Sequence, residues 1–345
     1  MRTCHRHAPL AEKYPWPLAE EYLWRIPGCQ PSRTVPAQAR PPLAETLEAA
    51  ARVLDGQSGR IGRPGRDAAG WLYCADLLAD GALDRELRTM SDTYGYGREV
   101  AATHFLSAYA GGVVGFAIAA YMLHSRVPDV CAAGMSLHAA PGGWFDVTAF
   151  HSDRVTVLAD DPALSAATPP AVDDRRHTPL AGRRAAAATD LATGPTADRA
   201  IDVAADRDVL RQRLAAALVG HFEPLVTALR ARARLGPSAL WGMVAGQCGR
   251  TFLLTERTTR DPDIGRAEAD AFFALASPPM RARPAWFEFV HRGRRQTAMR
   301  RGSCCLAHRM SSQYCTTCPF TPDSEREARL REWIDTQGDD GLAVG

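Results

Sequence analysis

With 345 residues, 46% hydrophobic and 23% charged, the chain is long enough to bury a substantial core and is composed like an ordinary globular protein. A formal net charge of +2 excludes the strongly basic balance that draws a protein to nucleic acid, and Lys13 is the sole lysine among 41 basic residues, so scattered arginines carry little weight and only dense clusters count. Nine cysteines, with no apolar signal-peptide core between Met1 and Gln30, point to a reducing cytosol rather than a disulfide framework.

Residues 1–42 are rich in proline and carry Tyr14, Trp16, Tyr22 and Trp24, the composition of an irregular arm pinned by aromatics. An amphipathic helix is predicted from Leu43 to Leu54. The Gly- and Arg-rich loop from Gly56 to Gly70 lacks the Gly-Lys-Ser/Thr ending of a phosphate loop. Helical patterning returns from Ala75 to Met90 and again from Gly97 until Pro128. Within it, Phe105 to Leu123 is uncharged and just long enough to cross a membrane. Its Ala and Gly content, with Ser107, Tyr109 and Tyr121, favours a buried core helix whose Gly111, Gly112 and Gly115 admit another helix closely.

Met135–Ala140 and Trp144–Leu158 read as strands around the Pro141-Gly142-Gly143 turn. Residues 160–200 have almost no large apolar side chains and read as a disordered insertion. Helices follow over Val209–Leu235, with a break at Pro224, over Pro237–Cys248 and over Ala267–Leu275. Trp286–His291 and Arg294–Met299 flank Gly293 as a hairpin leading into the cysteines. Beyond them, Ser324 and Glu327 form a capping box that opens a helix through Leu330, Trp333 and Ile334, and residues 337–345 fray. The expected fold class is α+β, helix-rich, with a small antiparallel sheet and a C-terminal cysteine module. The expected divisions are the arm at 1–42, a helix-rich domain over 43–280, the cysteine module over 281–336 and the tail.

Cys304, Cys305, Cys315 and Cys318 stand together in that module, the last two within Cys-Thr-Thr-Cys-Pro. Four thiolates from one segment can hold a zinc ion or an iron–sulfur cluster, and a vicinal disulfide or a redox thiol pair is also chemically possible. Zinc sites commonly use two Cys-x2-4-Cys knuckles, and here there is one. Adjacent side chains on an extended backbone point apart, which strains convergence of Cys304 and Cys305 on one ion. A two-iron cluster distributes its four ligand positions over two metal centres and relaxes that demand. Arg292, Arg294, Arg295, Arg300, Arg301 and Arg309 crowd the segment, either as a solvated face or as charges favouring a reduced, more anionic centre. His308 lies between the cysteine pairs as a neighbour or an alternative ligand. The string Cys4, His5, His7 reads as chance, and Cys29, Cys74, Cys131 and Cys248 as ordinary packed thiols.

RRGSCCLAHRMSSQYCTTCPF, with HFEPLVTALRARARLGPSALWGMVAG (His221 to Gly246) and HFLSAYAGGVVGFAIAAYMLHSRVPDV (His104 to Val130), resembles the FhuF-like siderophore-iron reductases over most of the chain. The nine-residue loop from Leu306 to Tyr314 is one residue shorter than usual in that family and lacks its Gly-rich centre. The resemblance implies a 2Fe-2S cluster on Cys304, Cys305, Cys315 and Cys318. It implies a cytoplasmic enzyme that passes one electron to iron(III) held by a siderophore, of hydroxamate type for example, and takes it from a reduced partner that the sequence leaves unidentified. Trp286, Phe287 and Phe320 are candidates to shield the cluster or line the approach to it. No GxGxxG fingerprint appears, so a directly bound dinucleotide is not expected, and neither is a nucleic-acid partner or a membrane span. Peripheral membrane association stays open. Two other function classes stand beside the reductase: a 2Fe-2S redox or iron sensor, and a zinc-stapled structural or interaction protein.

Overall fold

The computed structural model describes residues 41–166 and 201–337, except positions 80, 260 and 312. The N-terminal arm with its aromatics and its Cys4, His5 and His7 string, residues 167–200 of the expected insertion, and residues 338–345 lie outside the described residues.

The architecture is α+β and helix-rich. At its centre α3 (Arg98–His124) runs for 27 residues and is buried along nearly its whole length. Ala and Gly keep this helix slender enough to be covered on all sides, which is how an evenly apolar helix persists in a globular core. It is the one helix among the described residues long and apolar enough to cross a membrane, and 89% of that stretch is buried inside the protein. Its end is set before Pro128: Ser125 turns left-handed at φ 53° and its amide bonds back to the Tyr121 carbonyl.

Against α3 pack α1 (Pro42–Ala51), α2 (Ala82–Tyr94) and, most extensively, α6 (Pro237–Glu256). α6 runs two turns past the expected Cys248. Gly111 of α3 faces the Gln247 side chain of α6, while Gly112 and Gly115 receive Leu137 and Leu54, so only the first of the three glycines serves helix–helix approach. α5 (Arg207–Arg232) passes through Pro224 unbroken, because Phe222, Leu225 and Val226 are all buried and packing outweighs the lost hydrogen bond. α7 (Ile264–Ala276) is fastened by Glu268, whose carboxylate accepts from Tyr121 of α3 (2.6 Å) and from Arg207 and Arg211 of α5 (2.7 and 2.8 Å).

The expected antiparallel sheet is instead two small mixed sheets and a separate hairpin. Strands β1 (Ser58–Ile61), β2 (Trp71–Tyr73), β4 (Met135–Ala140) and β5 (Trp144–Phe150) form one sheet in the order β1-β5-β4-β2, with β1 parallel to β5. β3 (Val127–Pro128), β6 (Val155–Leu158) and β7 (Ile201–Ala204) form the second, with β6 and β7 parallel. The expected loose stretch has an ordered start: Asp161 is buried and takes a bidentate contact from Arg126 (2.7 and 2.8 Å), ahead of the short α4 (Pro162–Ala166).

β8 (Ala285–His291) and β9 (Arg294–Arg300) pair antiparallel across Arg292 and Gly293. Both turn residues are left-handed, at φ 50° and 74°, the geometry of a tight hairpin turn. β9 leads straight into the cysteines; α8 (His308–Ser311) lies between the two pairs and α9 (Asp323–Gln337) follows them. α9 starts one residue before the expected cap. Glu327 pairs with Arg331 (2.9 Å) one turn on.

Candidate metal centre

The cysteine segment is seated in a groove of small residues on α6. A Cβ on Gly242 would lie 2.0 Å from Ser303 Oγ, one on Gly246 3.3 Å from Arg301 Cδ, and one on Gly249 2.7 Å from the Pro284 ring. Gly302 is pressed as closely, since a Cβ there would meet the Ala282 carbonyl oxygen at 2.2 Å. Larger side chains at these positions would hold the segment off the helix.

From the other side α3 reaches in. Thr103 Oγ1 donates to the Cys305 carbonyl (2.7 Å), and the His104 ring hydrogen-bonds the Cys305 sulfur. The Tyr96 ring sits on His104 with centroids 4.9 Å apart. After the Cys-Cys pair, Leu306 takes a left-handed conformation (φ 65°), which returns its amide to Cys304 Sγ at 3.3 Å. That backbone state is costly for a leucine and is held here by the surrounding packing.

The Cys-x2-Cys loop is gripped from α9. Arg326 has no solvent exposure, and its guanidinium donates to the carbonyls of Thr316 (2.6 Å), Thr321 (2.7 Å) and Cys318 (3.2 Å). Within the loop the Cys318 amide donates to the Cys315 carbonyl (2.9 Å), which also accepts from Thr321 Oγ1 (2.8 Å).

The four sulfurs are neighbours in sequence. Cys305 contacts Cys315, Cys315 contacts Cys318, and Cys318 Sγ lies 3.7 Å from Cys304 Sγ. Cys304 and Cys305, adjacent in the chain, stand at opposite ends of this run. Among the described residues no three His, Cys, Asp or Glu side chains converge as a group able to hold a metal ion. All seven described cysteines are free thiols.

Arg301 Nη2 bridges one end of the run, 2.7 Å from Cys315 Sγ and 3.3 Å from Cys305 Sγ. Burial alone would pull the Arg301 pKa down; the two sulfurs outweigh it and hold it above its ordinary value. The hydrogen bond to Cys315, then burial, raises the Cys305 thiol. A separate contact with Cys315 lowers the Cys318 thiol against its burial, with help from the Phe320 amide.

The other arginines of the crowded stretch face outward. Arg292 pairs with Asp335 (2.6 Å) and Arg295 with Asp263 (2.6 Å), while Arg300 and Arg309 lie at the outer limit of ion pairing with Asp323 and Glu99. Near the open end of the run, His308 Nδ1 is 3.6 Å from Cys304 Sγ. The rings of His308, Tyr314 and Phe320 follow one another at 4.9 and 5.6 Å, with Phe320 61% exposed. Trp286 and Phe287 are placed elsewhere: the Trp286 indole donates to Asp270, and Phe287 lies under the Arg326 guanidinium.

Sequence reasoning had no purchase on His104, which is one polar position in an apolar helix. Arg326 was within reach, since it precedes Leu330 and Ile334 by one and two turns on the same apolar face of α9. The two cavities of note, each of about 330–340 Å³, are lined by Phe273, Met280 and Arg283 in one case and by Cys74, Tyr109 and His221 in the other, and neither includes the cysteine run. The chain matches no family model and no curated protein.

Proposed function

We propose that the chain is a cytoplasmic ferric-siderophore reductase in which Cys304, Cys305, Cys315 and Cys318 hold a 2Fe-2S cluster. The observation that carries this reading is the order of the sulfurs: a run with Cys304 and Cys305 at its ends offers two donor pairs, where one tetrahedral ion asks for four convergent donors. The donor set is soft and anionic, as iron–sulfur ligation requires. A second fit comes from Arg301, a half-buried residue whose guanidinium lies beside two sulfurs, whose buried Nε has no acceptor among the described residues and which calls for negative charge at the site.

A cluster held there supplies a one-electron reductant. The protein's own part is to seat the ligands on α6, to exclude water from the Cys305 end, and to leave the Cys304 end open beside Tyr314 and Phe320. Arg309, exposed next to His308, favours an anionic chelate there. The substrate chemistry suits a single electron: hard oxygen donors hold the small, highly charged ferric ion far more tightly than the ferrous ion.

The test is to mix the dithionite-reduced protein, under anaerobic conditions, with a panel of ferric hydroxamate and other chelates in the presence of a ferrous trap. Reoxidation of the protein in step with trapped iron(II) is the expected result. A protein that carries the cluster but never reoxidises with the chelates would be a sensor or an electron carrier, and one that carries zinc without sulfide would be a stapled structural domain.

A further inference from the structure

We propose that Arg301 is a positioning residue that divides the four cysteines into two unlike pairs: a charge-compensated pair, Cys305 and Cys315, which the guanidinium bridges, and a pair without a guanidinium, Cys304 and Cys318. With a cluster bound, the negative charge added on one-electron reduction would be stabilised at the pair that Arg301 bridges. This rests on the cluster reading of the site.

The arginine is fixed before any metal arrives. Its amide donates to the Thr317 carbonyl (2.8 Å), and its aliphatic stem lies on Gly246. One nitrogen then serves both sulfurs, at 2.7 and 3.3 Å. No carboxylate lies within ion-pair distance of the group among the described residues, and Nε finds no acceptor there. A guanidinium with a buried Nε and no carboxylate is stabilised by another anion, and the two sulfurs are the anions at hand. His104 adds a hydrogen bond to Cys305 from α3.

The other pair, Cys304 and Cys318, has no such charge. Cys304 receives the Leu306 amide and lies 3.6 Å from His308 Nδ1, and Cys318 receives the Phe320 amide. Opposite charges interact far more strongly at a buried site than across water, so the one guanidinium at the sulfurs outweighs the exposed ones around it.

The experiment compares wild type, Arg301→Met, Arg301→Lys and Arg300→Met, all purified anaerobically. Equal iron and acid-labile sulfide in wild type secures the cluster reading. The potential is then read by EPR during titration with dithionite, which supplies the electron. Arg301→Met is expected to shift the equilibrium at least tenfold against the reduced form, about 59 mV downward for one electron. Arg301→Lys restores part of that shift. Arg300→Met removes the same charge from an exposed site and changes the equilibrium less than twofold. Equal shifts at positions 300 and 301, or none at 301, overturn the proposal. If wild type carries zinc and no sulfide, the cluster reading fails by itself, and Arg301 is judged by how fast a chelator strips the zinc. At least tenfold faster loss from Arg301→Met supports the pairing role and an unchanged rate overturns it. A wild type holding neither metal overturns both. Arg301→Gln, which keeps a polar end, replaces the Met variant if that chain does not fold.

Discussion

Ser303 stands where a side chain on Gly242 would be: a Cβ on Gly242 would fall 2.0 Å from Ser303 Oγ and 2.6 Å from Ser303 Cβ. The residue before the Cys-Cys pair is thus locked to α6 by absence of volume, and by the bond from Ser303 Oγ to the Ala239 carbonyl (3.2 Å). Gly242→Ala is expected to cost about 1–3 kcal/mol by overpacking and to displace the cysteine segment. Adding Ser303→Gly to the same chain removes the obstructing atoms and returns most of the loss. Urea unfolding of the two single variants and the double variant measures the coupling. Strict additivity would show that the two residues do not press on one another.

Arg326 makes a second prediction. Its guanidinium satisfies three buried or partly buried carbonyls around the Cys-x2-Cys loop, and no lysine can span all three from one ammonium. Arg326→Met leaves those acceptors without a donor, at a cost on the order of 3 kcal/mol. Arg326→Lys recovers a minor part. The same variants are expected to raise hydrogen exchange at the Cys318 amide while leaving the α3 and α6 amides protected. A loss below about 0.5 kcal/mol, the range of an ordinary surface change, would remove Arg326 from the support of the site.

What the sequence made legible follows from how local each signal is. The β8–β9 hairpin is announced by Gly293 between alternating runs, and β4 and β5 by Pro141-Gly142-Gly143, because a turn and its strands lie within a few residues. Strand β1 is hidden inside a Gly- and Arg-rich loop, since its partner β5 lies more than eighty residues away and parallel pairing leaves no local pattern. Pro224 stays helical for the same kind of reason, as buried neighbours overrule a local preference. At the candidate centre the cysteines are evident by spacing, but nothing in six nearby arginines distinguishes Arg301, which differs only in lying against Gly246. His104 acts on Cys305 from two hundred residues away.

His221 carries a pH prediction. Burial pushes its imidazole down to about 4, and the ring is held between the Tyr109 hydroxyl and the Val130 carbonyl. The unfolded chain binds a proton near the ordinary value of 6.5 while the folded chain does not, so the stability is fully present above that pH and is lost as pH falls toward 4. From pH 7.5 to 5 this amounts to about 2 kcal/mol. Urea unfolding across that range should show the slope in wild type and a correspondingly shallower one in His221→Gln, whatever the offset at pH 7.5. Parallel slopes would mean that His221 takes up its proton in the folded protein as readily as in the unfolded one.

The ligand set itself makes the last prediction, which depends on distinguishing four sulfurs from a fifth. Cys248 is fully buried in α6, and burial pushes its thiol far above the ordinary value, so it has neither the access nor the thiolate character of a ligand. Cys248→Ser is therefore expected to lower stability through a buried hydroxyl while leaving the iron and sulfide content unchanged. Cys305→Ser, Cys315→Ser and Cys318→Ser should each abolish the visible chromophore: no other donor stands beside Cys315 and Cys318 among the contacts described, and His104, beside Cys305, is buried in α3 under the Tyr96 ring. Cys304→Ser differs. His308 Nδ1 lies 3.6 Å from the Cys304 sulfur, near enough for the ring to swing into the vacated position. The expected product is a partly loaded centre with an altered EPR signal, and Cys304→Ser with His308→Ala should lose it. Full loss in Cys304→Ser alone would confine His308 to the rim, and full retention would assign the fourth ligand away from Cys304.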